Sequence, residues 1–155
     1  MMISSVAVIF ASVGAGHLST LIGRKKTFLL TGVARLILLP DIALLMHGVT
    51  DTTALALYVV LFSMLGAAGY APLLIFLNER FPTAIRATGT GLSWNIGFAI
   101  GGILPTFVSL ASPMASDVPM TLALFLGAIS VIFLIGALVV PETIGNLDAP
   151  ARDAA

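Results

Sequence analysis

The chain is organised as long apolar runs separated by short polar connections. Four runs, residues 27–50, 53–77, 87–111 and 118–140, each exceed the roughly 20 residues that a helix needs to cross a hydrocarbon core. A fifth, over about residues 1–21, carries no charge. Stretches such as LALYVVLFSMLGAA and LALFLGAISVIFLIGALVV lack the polar–apolar alternation of a barrel strand. The predicted elements are therefore helices, and the fold class is an all-α integral membrane protein with five transmembrane helices and a tail over residues 141–155.

Composition excludes most other functions. The chain is 59% hydrophobic and 9% charged, where a soluble domain carries about 25% charged residues. Seven Lys and Arg balance seven Asp and Glu, so no basic face exists for nucleic acid, and the partner implied is the lipid bilayer. With no cysteine and two histidines, disulfides and thiolate metal sites are ruled out and a zinc centre is not expected. No GxSxG motif, metal-ligand pair or intramembrane His/Asp cluster is present, so no enzyme, metal or organic cofactor is expected.

Basic residues set the orientation. The first connection holds Arg24, Lys25 and Lys26, the third holds Arg80 and Arg86, and the tail holds Arg152. The second and fourth connections, around Asp51 and Asp117, hold none. Connections one and three and the C-terminus are thus expected in the cytoplasm, and Met1 outside. A cleavable signal would need a basic n-region, which MMISSVAVIFASVGAG lacks. The expectation is instead a piece of a longer polytopic protein or a truncated gene product.

Three segments carry a resemblance. GHLSTLIGRKK, residues 16–26, resembles the loop Gly-x-x-x-Asp-(Arg/Lys)-x-Gly-Arg-(Arg/Lys)-(Arg/Lys) of the major facilitator superfamily. Gly16, Gly23, Arg24, Lys25 and Lys26 match, while Thr20 stands in place of Asp and Leu21 in place of a base. NERFPTAIRATG, residues 78–89, resembles the Glu-x-Phe-Pro-x-x-x-Arg-x-x-Gly loop, and PET, residues 141–143, resembles the tail of sugar porters. The resemblance covers the whole chain and implies helices eight to twelve of a twelve-helix transporter, within its C-terminal half. FPTAIRATGTGLSWNIGFAIGGILP is most similar to the metabolite:proton symporter branch, with sugar porters second.

The resemblance implies cytoplasmic ion pairs, Arg24 with Glu79 and Arg86 with Glu142, that latch the outward-open state. The same basic residues read equally as anchors at an anionic leaflet, and Glu79 could pair locally with Arg86. Gly16 suits a close helix approach and Gly23 a tight turn. Inside the spans, only Arg35 and Asp41 are charged. Arg35 has the reach to snorkel. Asp41, following Pro40, reads either as a structural residue of a peripheral helix or as a proton-carrying carboxylate. His47 is placed at an interface.

Over residues 87–111, an unbroken helix at 100° per residue would place Gly91, Asn95, Gly102, Thr106 and Ser109 on one polar stripe. Gly97 and Gly101 make a GxxxG step for helix packing, and Pro105 predicts a kink. Asn95 and Thr106 read either as cavity residues or as interhelical glue, and Trp94 sits at the stripe's edge. In the preceding span, Ser63, Gly66 and Tyr70 share a face, and residues 66–72 read as a bendable segment. Residues 122–140 read as lipid-facing.

The substrate candidates are therefore Tyr70, Trp94, Asn95 and Thr106, and the candidate proton site is Asp41. The implied function is proton-coupled symport of a small metabolite, such as an organic acid or zwitterion, by alternating access with an N-terminal half in the inner (plasma) membrane. The proton would be the coupling ion. The rivals are a non-transporting membrane partner or truncated subunit, and a sugar porter-like transporter.

Overall fold

The structure, a computed structural model, describes residues 2–143, so Arg152 lies outside the described residues. Five helical segments are long and apolar enough to cross a membrane: Met2–Ile22, Arg24–Leu45, Thr52–Arg80, Arg86–Leu110 and Ala115–Val139. The first two are unbroken helices, α1 (Met2–Ile22) and α2 (Arg24–Leu45). The third divides into α3 (Thr52–Ala67) and α4 (Tyr70–Arg80), and the fourth into α5 (Arg86–Gly102) and α6 (Leu104–Leu110). A single 3-10 turn, Ala115–Asp117, leads into α7 (Val118–Val139).

Both interruptions have a proline behind them. Pro72 cannot donate to the Ala68 carbonyl four residues back, nor Pro105 to that of Gly101. The chain turns at residues 68–69 and at Ile103 accordingly. The second break falls two residues before Pro105, which enters the first turn of α6, where a missing N–H is tolerated. Pro40, by contrast, lies inside α2, which stays helical through it.

Helix α2 is the centre of the bundle, packing on α7, α3, α1 and α4. Phe28 of α2 meets Phe76 of α4 edge-on at 5.6 Å between ring centroids, and Phe133 of α7 at 6.1 Å. Around them, Leu29, Leu73, Leu77 and Val140 complete the apolar core. The expectation for the last span needs correction. Helix α7 does not simply face lipid: Ala123, Ser130 and Ala137 are buried, and their spacing of seven puts them on one stripe. A side chain on Gly32 of α2 would bring its Cβ within 2.6 Å of Leu134 on α7. Small residues let the two backbones approach, which hydropathy alone cannot distinguish from lipid exposure. The outer face of α7, with Leu124, Ile132 and Leu138, is exposed.

Candidate functional site

Helix α2 begins at Gly23, whose φ of 100° only glycine adopts without strain. The first N–H groups of a helix have no partner within it and carry the positive end of its dipole. Glu142, arriving after α7, supplies the anion. The Arg24 N–H donates to Glu142 Oε1 at 2.8 Å and the Lys25 N–H to Oε2 at 3.1 Å. A Cβ on Gly23 would collide with that carboxylate. Lys25 Nζ returns to the other helix, donating to the Leu138 carbonyl at 2.7 Å.

The Arg24 side chain makes an ion pair with Glu79 near the end of α4. Its Nη2 donates to Glu79 Oε1 at 2.6 Å, and its Nε to Oε1 and Oε2 at 3.2 and 3.0 Å. Arg24 Nη1 donates to Ser19 Oγ at 3.0 Å, and Ser19 donates to the Gly16 carbonyl at 2.7 Å. Thr143 donates its hydroxyl to Glu79 Oε2 at 2.6 Å. Both charged side chains are nearly inaccessible, at 6% and 2%. In that setting a pair with its remaining donors and acceptors matched holds together, and a broken pair is costly.

Of the two ion pairs expected, Arg24–Glu79 forms. Arg86–Glu142 does not: Glu142 is taken by backbone N–H groups, and Arg86 Nε donates to the Phe81 carbonyl at 3.3 Å. The local Glu79–Arg86 pair is also absent among the described residues. Gly16 approaches Ala71 of α4 closely, as its place in the motif suggested. Lys26 and Thr20 are exposed, Thr20 donating to the His17 carbonyl of its own helix. Ser19 and Thr143 were not singled out beforehand. Thr143 meets Glu79 from 64 residues away, with only the PET segment to hint at it, whereas Ser19 lies five residues before Arg24 in the GHLSTLIGRKK loop itself.

Arg35 does not reach toward a membrane surface. Its Nε donates to the Leu65 carbonyl at 3.0 Å and its Nη2 to the Gly66 carbonyl at 2.9 Å. Ser12 of α1 donates to the Ala67 carbonyl at 3.3 Å. These are carbonyls left open where α3 ends, and in an apolar setting they must find donors. The guanidinium also lies 5.1 Å from the Phe133 ring centre, within cation–π range. Asp41 lies on an exposed part of α2 and makes no hydrogen bond or ion pair among the described residues.

Between α4 and α5 lies a cavity of about 600 Å³, lined by Tyr70, Leu73, Leu77, Ser93, Trp94, Gly97, Phe98, Gly101 and Gly102. Tyr70, Trp94 and Phe98 form an aromatic cluster, with centroid separations of 5.7, 5.1 and 6.2 Å. Tyr70 and Trp94 are thus brought together as cavity residues. Asn95 and Thr106 are not part of the lining. Asn95 is exposed and donates to the Gly91 carbonyl one turn back at 2.7 Å. Thr106 is exposed on α6, beyond the break, so the 100° register of an unbroken helix does not carry across to it. Gly97 and Gly101 face open space within 4 Å rather than a neighbouring helix. Their missing side chains widen the cavity instead of tightening a contact.

Comparison with known proteins identifies the family. A family described as sugar (and other) transporter matches residues 1–147. A "Probable 4-methylmuconolactone transporter" of Cupriavidus pinatubonensis is 36% identical over 83% of this chain and 29% of its own length. A sialic acid transporter of Escherichia coli is 31% identical over 70% of this chain and 27% of its own. The chain therefore spans less than a third of these relatives. No solved structure matches it significantly. The chain belongs to the sugar (and other) transporter family of the major facilitator superfamily, as a multi-pass membrane protein.

Proposed function

We propose that the chain serves as part of the C-terminal half of a proton-coupled metabolite symporter. The substrate would sit near the midplane between two halves and be exposed to each side in turn. The observation that carries this reading is the pairing of a buried ion cluster with a cavity along the same helix. Tyr70 opens α4 at the cavity, and Glu79 near its other end is held by Arg24. Closing that end would require the Arg24–Glu79 pair, and opening it would require the pair to separate.

The aromatic wall suits the apolar face of a small ring-bearing metabolite, and the wall itself carries no charge. The relatives' names, 4-methylmuconolactone and sialic acid, support a small organic acid, whose carboxylate would be met outside these lining residues. Asp41 is the proton-carrying candidate. Uptake of both compounds by the complete transporter, driven by an imposed inward proton gradient, is the test. Gly97→Phe, which fills the cavity, is expected to abolish uptake at normal expression, while Asn95→Ala leaves it unchanged. Normal uptake by Gly97→Phe would remove the cavity from the path. Uptake that survives a protonophore would remove proton coupling, and full coupling in Asp41→Asn would remove Asp41.

The proposed orientation in the plasma (inner) membrane has the N-terminus outside and the C-terminus in the cytoplasm, supported by the basic residues of the first and third connections. The chain has no cysteine, so single cysteines report cleanly. Thr20→Cys and Thr83→Cys, both at exposed positions, are expected to react with impermeant reagents only from the cytoplasmic side. Labelling from outside in intact cells would reverse the orientation.

A further inference from the structure

Two arginines of α2 hold the bent span at separate points. Arg24 and Arg35 are eleven residues apart, which is about 20° around an ideal helix and roughly 16 Å along it. They therefore lie on the same face, three turns apart. On the other side, Gly69 and Glu79 are ten residues apart, or roughly 15 Å along α4. The two lengths match. Arg24 takes Glu79 at one end, and Arg35 takes the Leu65 and Gly66 carbonyls at the other.

The two attachments differ in kind. Arg24–Glu79 joins two side chains of opposite charge, each of which can move off its partner onto a competing charged group. Arg35 is bonded to two backbone carbonyls, which never titrate and which the helix break leaves without helical partners. Gly69 fits against the guanidinium so closely that a Cβ there would lie 2.6 Å from Nη2. Phe133 of α7 lies against the same guanidinium, and Ser12 of α1 takes the next carbonyl. The junction is thus hydrogen-bonded to α2 and α1, with α7 backing the Arg35 guanidinium, while the far end of α4 is held by one buried acid with its partners and by the packing of Phe76 on Phe28.

We propose that Arg35 is the pivot of α4: a positioning residue that keeps the α3–α4 junction, and Tyr70 next to it, fixed on α2 while the Glu79 end swings. Arg35 does not line the cavity; it acts through the junction that places Tyr70 against Trp94. This rests on the reading of Arg24–Glu79 as an opening end, and the measurements below separate the two.

The test uses the whole chain in lipid nanodiscs. Spin-label pairs at Lys26 and Arg80 report the Glu79 end, and pairs at Ile37 and Leu61 report the junction; all four sites are exposed. Trp94 is the chain's single tryptophan and lies 5.7 Å from Tyr70 between ring centroids, so its emission reads the position of Tyr70. Glu79→Gln is expected to lengthen and broaden the Lys26–Arg80 distance while the Ile37–Leu61 distance and Trp94 emission stay as in the parent. Arg35→Met is expected to broaden the Ile37–Leu61 distance and shift Trp94 emission. Arg35→Lys, which keeps the charge but cannot span two carbonyls in a fixed fork, is expected to give the same changes in smaller degree with helix content retained, and it carries the test if Arg35→Met does not fold. Parent-like Trp94 emission and junction distance in Arg35→Lys would overturn the pivot. So would a Glu79→Gln variant that moves the junction and Trp94 as far as the far end. If Glu79→Gln moves neither distance while the Arg35 variants move the junction, the opening-end reading fails and the fastening of Tyr70 by Arg35 stands.

Discussion

Arg24→Ala is expected to lower the stability of the detergent-solubilised chain by about 3–5 kcal/mol, the range for breaking one side of a buried ion pair. The loss is large because Glu79 would keep its charge in a pocket where Thr143 is the other side-chain donor that reaches it. Ser19 would lose its guanidinium donor as well. Glu79→Gln should cost less, since it removes the buried negative charge rather than leaving it without its partner. Thermal unfolding followed by circular dichroism gives the comparison. The exchange Arg24→Glu with Glu79→Arg should recover only part of the loss, because Ser19 and Thr143 are arranged for the original order of charges. A loss below about 1 kcal/mol for Arg24→Ala, the scale of an exposed pair, would show that water reaches the cluster and that it is a loop anchor.

Gly23→Ala is the second large effect, with an expected loss of about 1–3 kcal/mol from backbone strain alone. Its φ of 100° and ψ of 158° lie in a region that is nearly glycine's own. The added methyl would also push Glu142 off the start of α2, forfeiting a charge at a helix N-terminus worth about 0.3–1 kcal/mol. Gly48→Ala is the internal control. Gly48 also has positive φ, at 84°, but a Cβ there meets nothing within 4 Å. The excess loss at Gly23 over Gly48 therefore sets an upper bound on the seat of Glu142, since the ψ of 158° at Gly23 adds strain of its own. Equal losses would mean that the carboxylate relocates freely and contributes nothing to holding α2.

Local chemistry made several features legible in the sequence. Twenty or more consecutive apolar residues leave a helix as the one spanning form that satisfies its own backbone when no barrel alternation is present. The five spans accordingly fall close to where the runs lie. Gly16 marked a close approach, residues 66–72 marked a bend through Pro72, and the motif residues Arg24 and Glu79 marked an ion pair that forms. Each of these depends on residue type and near neighbours along the chain, or on a motif that names both partners.

What the tertiary structure alone decided involves partners with no signature in the sequence. Arg35 is bonded to main-chain carbonyls of α3, and Glu142 to main-chain N–H groups of α2. Every residue carries such groups, so no residue type announces which are left open or who fills them. Only the helix break and the arrival of the chain after α7 decide that. Gly97 and Gly101 show the same limit from the other side. A GxxxG step permits a neighbour to approach but does not supply one, and here the space beside it became the wall of a cavity. Likewise, Ala123, Ser130 and Ala137 could not be recognised as a packing face until α2 lay against them. Sequence determined which segments can exist in lipid, because that is a matter of local polarity. Packing determined which polar groups meet, because backbone donors and acceptors become specific only when two elements are brought together.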